Sequence, residues 1–79
     1  MSKPVIWMVI PCYNEEEALP ETARRLKDVL AEMVAADKIS PDSRIAFVDD
    51  GSRDGTWELI EKLYAADFVY AGVKLSRNR

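Results

Sequence analysis

Ile45-Ala46-Phe47-Val48-Asp49-Asp50-Gly51-Ser52-Arg53-Asp54-Gly55-Thr56 passes from a short apolar segment into paired carboxylates and two glycines, and then into a helical pattern. The order predicts a strand, an acidic loop and a helix start. In an open α/β sheet such a junction falls at the carboxyl end of a strand, where ligands bind, so the chemistry of the chain is expected here. A second junction of the same kind, Val5 to Glu17, precedes it.

Outward from these junctions the elements alternate. Val5-Ile6-Trp7-Met8-Val9-Ile10 is a continuous apolar run ended by Pro11, which predicts a strand buried on both faces in the interior of a parallel sheet. From Leu19 to Val34 the apolar positions Leu19, Ala23, Leu26, Leu30, Met33 and Val34 recur at three and four residues, the pattern of an amphipathic helix. Pro20 falls near its start, where a missing N–H costs nothing, and Ser40-Pro41-Asp42-Ser43 predicts the turn beyond it. Arg44 to Val48 is the second predicted strand. Asp54 is the expected N-cap of a helix that carries Trp57, Ile60, Leu63 and Tyr64 inward and closes at Ala65-Ala66-Asp67. Phe68 to Leu75 predicts a third strand with Gly72 as its weak point, and Ser76-Arg77-Asn78-Arg79 a polar loop. Trp7 and Trp57 are expected in the core. Two helices between three apolar strands predict right-handed parallel crossovers, half of a doubly wound nucleotide-binding fold.

The bulk properties narrow the function. At 79 residues the chain is one small domain or a piece of a larger one, with 48% hydrophobic and 32% charged residues, a composition that argues against disorder. A formal charge of -3 with mixed signs gives no basic stripe for a phosphate backbone, so no nucleic-acid partner is expected. Arg24, Arg25 and Lys27 read as a solvated helix face. Cys12 is the single cysteine, which precludes an intramolecular disulfide and fits a reducing cytoplasm. With no histidine, Cys-His and Ser-His catalysis within the chain are excluded. The run from Val5 to Ile10 is far shorter than the roughly 20 residues a membrane helix needs, and no signal pattern surrounds it, so a soluble segment is expected. G-x-G-x-x-G and Walker-type phosphate loops are both absent.

Three strings carry a resemblance. Val9-Ile10-Pro11-Cys12-Tyr13-Asn14-Glu15-Glu16-Glu17, then Val48-Asp49-Asp50-Gly51-Ser52-Arg53-Asp54-Gly55-Thr56, then Leu75-Ser76-Arg77-Asn78 stand in order, each at a predicted strand end. Together they resemble the start of the family 2 glycosyltransferases of GT-A fold, above all the dolichyl- or polyprenyl-phosphate sugar transferases. The fold implied is α/β: a three-layer, Rossmann-like GT-A domain of which residues 1–79 form the βαβαβ half with a parallel sheet. The activity implied is inverting transfer of a sugar from a UDP- or GDP-sugar to a polyprenyl phosphate or glycan acceptor.

The site follows from the same comparison. By resemblance Pro11, Tyr13, Glu15 and Asp50 line the base and ribose pocket with Asp49 beside them, and Asn14 and Arg77 are further candidates. An ionised Asp only accepts hydrogen bonds, which suits Asp50 to the N–H of a base edge and Glu15 to ribose or base, while Tyr13 offers a ring. Arg77 and Asn78 either approach the diphosphate or belong to a surface loop. Glu16 and Glu17 read as solvated charges near a helix N-terminus, and Cys12 as a space-filling residue. In the resembled family an Asp-x-Asp motif at the end of the next strand holds Mg2+ or Mn2+, and a later residue completes the chemistry. No Asp-x-Asp occurs in the 79 residues, so the chain is expected to be the amino-terminal part of the domain, to hold neither metal ligands nor catalytic base, and to be inactive alone. Membrane association is expected only through further sequence, and self-association through the open edge of the first strand.

Two other readings compete. Asp50 to Glu61 fits the calcium-loop pattern, with oxygen residues at the first, third and fifth places, Gly55 at the sixth and Glu61 at the twelfth. A calcium-binding helix-loop-helix needs an entering helix, for which the turn at Ser40–Ser43 leaves no room before Asp49. The remaining alternative is a stand-alone α/β nucleotide-binding or regulatory module without catalysis.

Overall fold

The computed structural model describes residues 3–75. They run β1 (Trp7–Cys12), α1 (Leu19–Ala35), β2 (Arg44–Asp49), α2 (Thr56–Ala66) and β3 (Tyr70–Lys74). The sheet is parallel throughout, in the order β1-β2-β3, with Cys12 opposite Asp49 and Asp49 opposite Lys74. This is the βαβαβ arrangement of a Rossmann-like half domain. The string Ser76–Arg79, with Arg77 and Asn78, lies outside the described residues.

Both helices cover the same face. Tyr70, on β3, donates its hydroxyl to the Ala23 carbonyl of α1 at 2.8 Å, and Lys27 of α1 pairs with Asp67 at the end of α2. Two right-handed crossovers advancing in one direction across a sheet place their helices on one side, so this half supplies two layers. The core lies between them and is built on Leu19, Ala23 and Leu30 of α1, Ile45 and Phe47 of β2, Ile60 of α2 and Tyr70.

The open opposite face corrects two expectations. The order of strands puts β1 at the edge and β2 in the centre, so the long apolar run is not an interior strand buried on both faces. Met8, Ile10 and Cys12 turn toward the helices, while Trp7 and Val9 turn away and are 51% and 63% exposed. Trp7 is therefore not a core residue; the Arg44 guanidinium lies over its ring at 5.3 Å. Trp57 reaches the core from its rim, between Tyr64 and the Lys74 ammonium. Pro11 is tolerated inside a strand for a related reason. Ile6 and Cys12 accept the ladder bonds from Arg44 and Asp50, so by alternation the backbone nitrogen of Pro11 points away from β2, where no donor is needed.

The third strand begins at Tyr70, not at Phe68, which is 71% exposed. Gly72 is not a weak point. A Cβ there would lie 2.6 Å from Ile60 Cγ2 and 3.0 Å from the Tyr64 ring, so the missing side chain is what lets α2 settle on β3. At the far end of α1, Asp37 adopts a left-handed backbone with φ 65, and the N–H groups of Asp37 and Lys38 close on the carbonyls of Val34 and Met33. This is the Schellman arrangement that terminates a helix.

Candidate functional site

The carboxyl ends of β1 and β2 meet because their register pairs Cys12 with Asp49, and the Asp50 N–H donates to the Cys12 carbonyl at 3.1 Å. Tyr13 and Asp50 therefore leave adjacent strand ends as neighbours. From there two loops run side by side, Tyr13–Ala18 into α1 and Asp50–Gly55 into α2.

Two hydroxyl groups join the loops. The Asn14 N–H donates to Ser52 Oγ at 2.9 Å, and the Ser52 hydroxyl donates in turn to Asp49 Oδ1. The Glu15 N–H donates to Thr56 Oγ1 at 2.8 Å, and the Thr56 hydroxyl donates to Asp54 Oδ1. Each hydroxyl thus accepts from a backbone N–H of the first loop and donates to a carboxylate, Asp49 at the end of β2 or Asp54 in the second loop. Further bonds run the same way: Asn14 Oδ1 accepts the Arg53 N–H at 2.8 Å, and Glu16 Oε1 accepts the Gly55 N–H at 3.0 Å. Asn14, with φ 50, holds a left-handed backbone that asparagine tolerates better than most residues.

The carboxylates differ in environment. Asp49 is buried, its Oδ1 taken by both the N–H and the hydroxyl of Ser52, while its Oδ2 has no hydrogen-bond partner among the described residues. Asp50 is half-buried at the loop's edge, and Pro11, Tyr13 and Glu15 are exposed. The Thr56 hydroxyl, followed by backbone N–H donors, holds the Asp54 carboxyl below its ordinary range. Cys12 is buried beneath the junction, and burial, with the charges of Glu15 and Asp49 after it, pushes its thiol up to about 11. A neutral thiol there fills space, as its sequence position suggested.

The structure thus gathers Pro11, Tyr13, Asn14, Glu15, Asp49 and Asp50 at one end of the sheet. Three assignments change. Glu16 is exposed, as expected, but it also clasps the start of α2, and a Cβ on Gly55 would meet its carboxylate at 2.6 Å. Gly55, not Asp54, holds the N-cap position; Asp54 stands one residue earlier and accepts the Thr56 N–H at 2.9 Å. Ser52 and Thr56 join the two loops, a part that the sequence reading did not give them. Asp followed by a hydroxyl residue two or three places on is a turn signal, but which amide of the other loop each hydroxyl would meet is not written in that spacing.

A strand, not a helix, leads into the loop at Asp50, so the segment lacks the entering helix of a calcium-binding helix-loop-helix. Among the described residues no three His, Cys, Asp or Glu side chains converge as a metal-binding group, and no helix is long and apolar enough to cross a membrane.

The glycosyl transferase family 2 model matches residues 7–79, from the first residue of β1 to the last of the chain. The chain belongs to glycosyl transferase family 2. An uncharacterized glycosyltransferase YkoT of Bacillus subtilis (strain 168) is 43% identical over 77 residues, covering 98% of this family 2 chain and 23% of the relative. The undecaprenyl-phosphate 4-deoxy-4-formamido-L-arabinose transferase of Pseudomonas fluorescens (strain Pf0-1) is 40% identical over 72 residues, covering 90% of this chain and 19% of its own. The protein of the same name from Aeromonas hydrophila is 37% identical over 75 residues, 94% of this chain and 21% of the relative. The chain therefore spans about a fifth of the length of these relatives, and the stretch they share contains both loops.

Proposed function

We propose that residues 1–79 are the nucleotide-recognition part of an inverting glycosyltransferase that draws a sugar from a UDP- or GDP-sugar and passes it to a polyprenyl phosphate or glycan acceptor. The observation that carries the reading is the convergence of Tyr13, Glu15 and Asp50 at the ends of two hydrogen-bonded parallel strands, on loops latched to one another. The names of the undecaprenyl-phosphate sugar transferases support the polyprenyl acceptor.

Each residue has a task within its chemistry. Asp50, an acceptor only, takes the N–H of a uracil or guanine edge; Tyr13 lays its exposed ring against the base; Glu15 accepts from ribose hydroxyls or the base. Pro11 stands exposed at the end of β1, Asp49 lies buried beside the pocket at the end of β2, and Asn14 shapes the first loop. Leaving of the nucleoside diphosphate builds negative charge, which a divalent cation such as Mg2+ or Mn2+ would neutralise. The described residues offer it no convergent set of ligands, since Asp49 Oδ1, Asp54 and Glu16 are engaged with loop donors. We assign neither the cation's ligands nor the base that activates the acceptor to these residues.

The test is calorimetric titration of the chain with UDP and with GDP, beside the Asp50→Ala variant. Loss of a hydrogen bond to a charged acceptor should weaken binding of the preferred nucleotide by about tenfold or more. Equal binding by the two proteins removes Asp50 from the site.

A further inference from the structure

We propose that Ser52 and Thr56 are positioning residues for nucleotide binding, acting as a two-point latch that holds the Tyr13–Glu15 segment at a set distance from Asp50. The inference rests on the nucleotide reading above. It adds residues to the site whose side chains point at the neighbouring loop and not at the ligand.

The geometry carries it in three steps. First, Thr56 is fully buried, so its hydroxyl cannot freely trade its partners for water, and Ser52 is half-buried beside it. Second, each is engaged in both directions: Thr56 accepts from Glu15 N–H and donates to Asp54, and Ser52 accepts from Asn14 N–H and donates to Asp49. A hydroxyl used at once as acceptor and donor fixes both neighbours, and the carboxylate behind it strengthens the bond in front of it. Third, the two gripped amides, Asn14 and Glu15, directly follow Tyr13, while the carboxylate gripped by Ser52, Asp49, directly precedes Asp50. The latch therefore connects the backbone on either side of the residues assigned to the base and ribose. Binding by a site already in register forgoes the ordering cost a loose loop would incur on each encounter.

The latch also separates its two hydroxyls by what can replace them. Serine keeps the hydroxyl of Thr56 and loses only a methyl group, whereas valine keeps the shape and loses both bonds. The experiment titrates UDP and GDP into wild type, Thr56→Val, Thr56→Ser, Ser52→Ala and Asp50→Ala, well below each protein's thermal midpoint, with circular dichroism as the check on fold. Thr56→Val and Ser52→Ala should each weaken nucleotide binding by about five- to tenfold while folded, and Thr56→Ser should bind within about twofold of wild type. A merely structural role would lower the midpoints and leave the dissociation constants alone. If Asp50→Ala weakens binding but Thr56→Val and Ser52→Ala bind as wild type does, the latch is wrong and the nucleotide site stands. If wild type binds neither nucleotide, or Asp50→Ala binds as wild type, the site fails and the latch with it.

Discussion

Gly72 and Ile60 approach so closely that a Cβ at position 72 would stand 2.6 Å from Ile60 Cγ2, and this contact sets how near α2 lies to the sheet. A methyl group cannot be accommodated without moving the helix that carries Thr56 at its start. Gly72→Ala should therefore destabilise the fold by about 1–3 kcal/mol, the usual range for overpacking. In denaturant titrations Gly72→Ala combined with Ile60→Ala should lose less than the two single changes added together, because shortening Ile60 makes the room that the alanine needs. Strict additivity would show that the crowding is relieved elsewhere.

A second expectation concerns alkaline pH. Burial, reinforced by Glu15 and Asp49, raises the Cys12 thiol from 9.0 to about 11, and burial likewise raises the Tyr70 phenol. A raised value in the folded state means that folding favours the protonated group. That contribution is complete below pH 9 and disappears as pH climbs through about 11. The unfolding free energy should fall over this window, by at most about 3 kcal/mol from Cys12. Cys12→Ala should flatten the slope in part and leave the share due to Tyr70. An unchanged slope in the variant would mean that the thiol does not titrate with folding.

Asp37 provides the third. It closes α1 with φ 65 in a Schellman arrangement, a conformation that glycine adopts without strain, and its ion pair with Lys3 at 2.9 Å is exposed and worth little. Asp37→Gly should raise stability by about 0.5–1 kcal/mol, and Asp37→Ala should lower it. Thermal unfolding of the three proteins decides, and a destabilised glycine variant would assign the ion pair the larger role.

The order strand, helix, strand, helix, strand was legible because each segment carries its own period: unbroken apolar runs at Trp7–Ile10 and Ile45–Val48, a three-to-four repeat from Leu19 to Val34. Helix α1 and strand β2 come within one residue of the ranges read from those patterns. The family was legible for a different reason. Its signature sits in contiguous strings at strand ends, and the match over residues 7–79 bears this out. Trp7 was misread because an apolar run states that a segment is hydrophobic but not which face a neighbour covers. Its exposure follows from β1 lying at the edge and both crossovers passing over the other face.

The residues of the two loops show where local reading stops. Sequence alone determined that acidic groups, an aromatic ring and glycines stand where strands end, since those preferences act between residues a few places apart. Only the tertiary structure decided that Thr56 meets Glu15, 41 residues away, that Glu16 turns back onto Gly55, and that Gly72 is there to admit Ile60. Such pairings depend on how deeply each helix seats against the sheet. That depth is set by all the packed side chains together, and no short stretch of the chain encodes it.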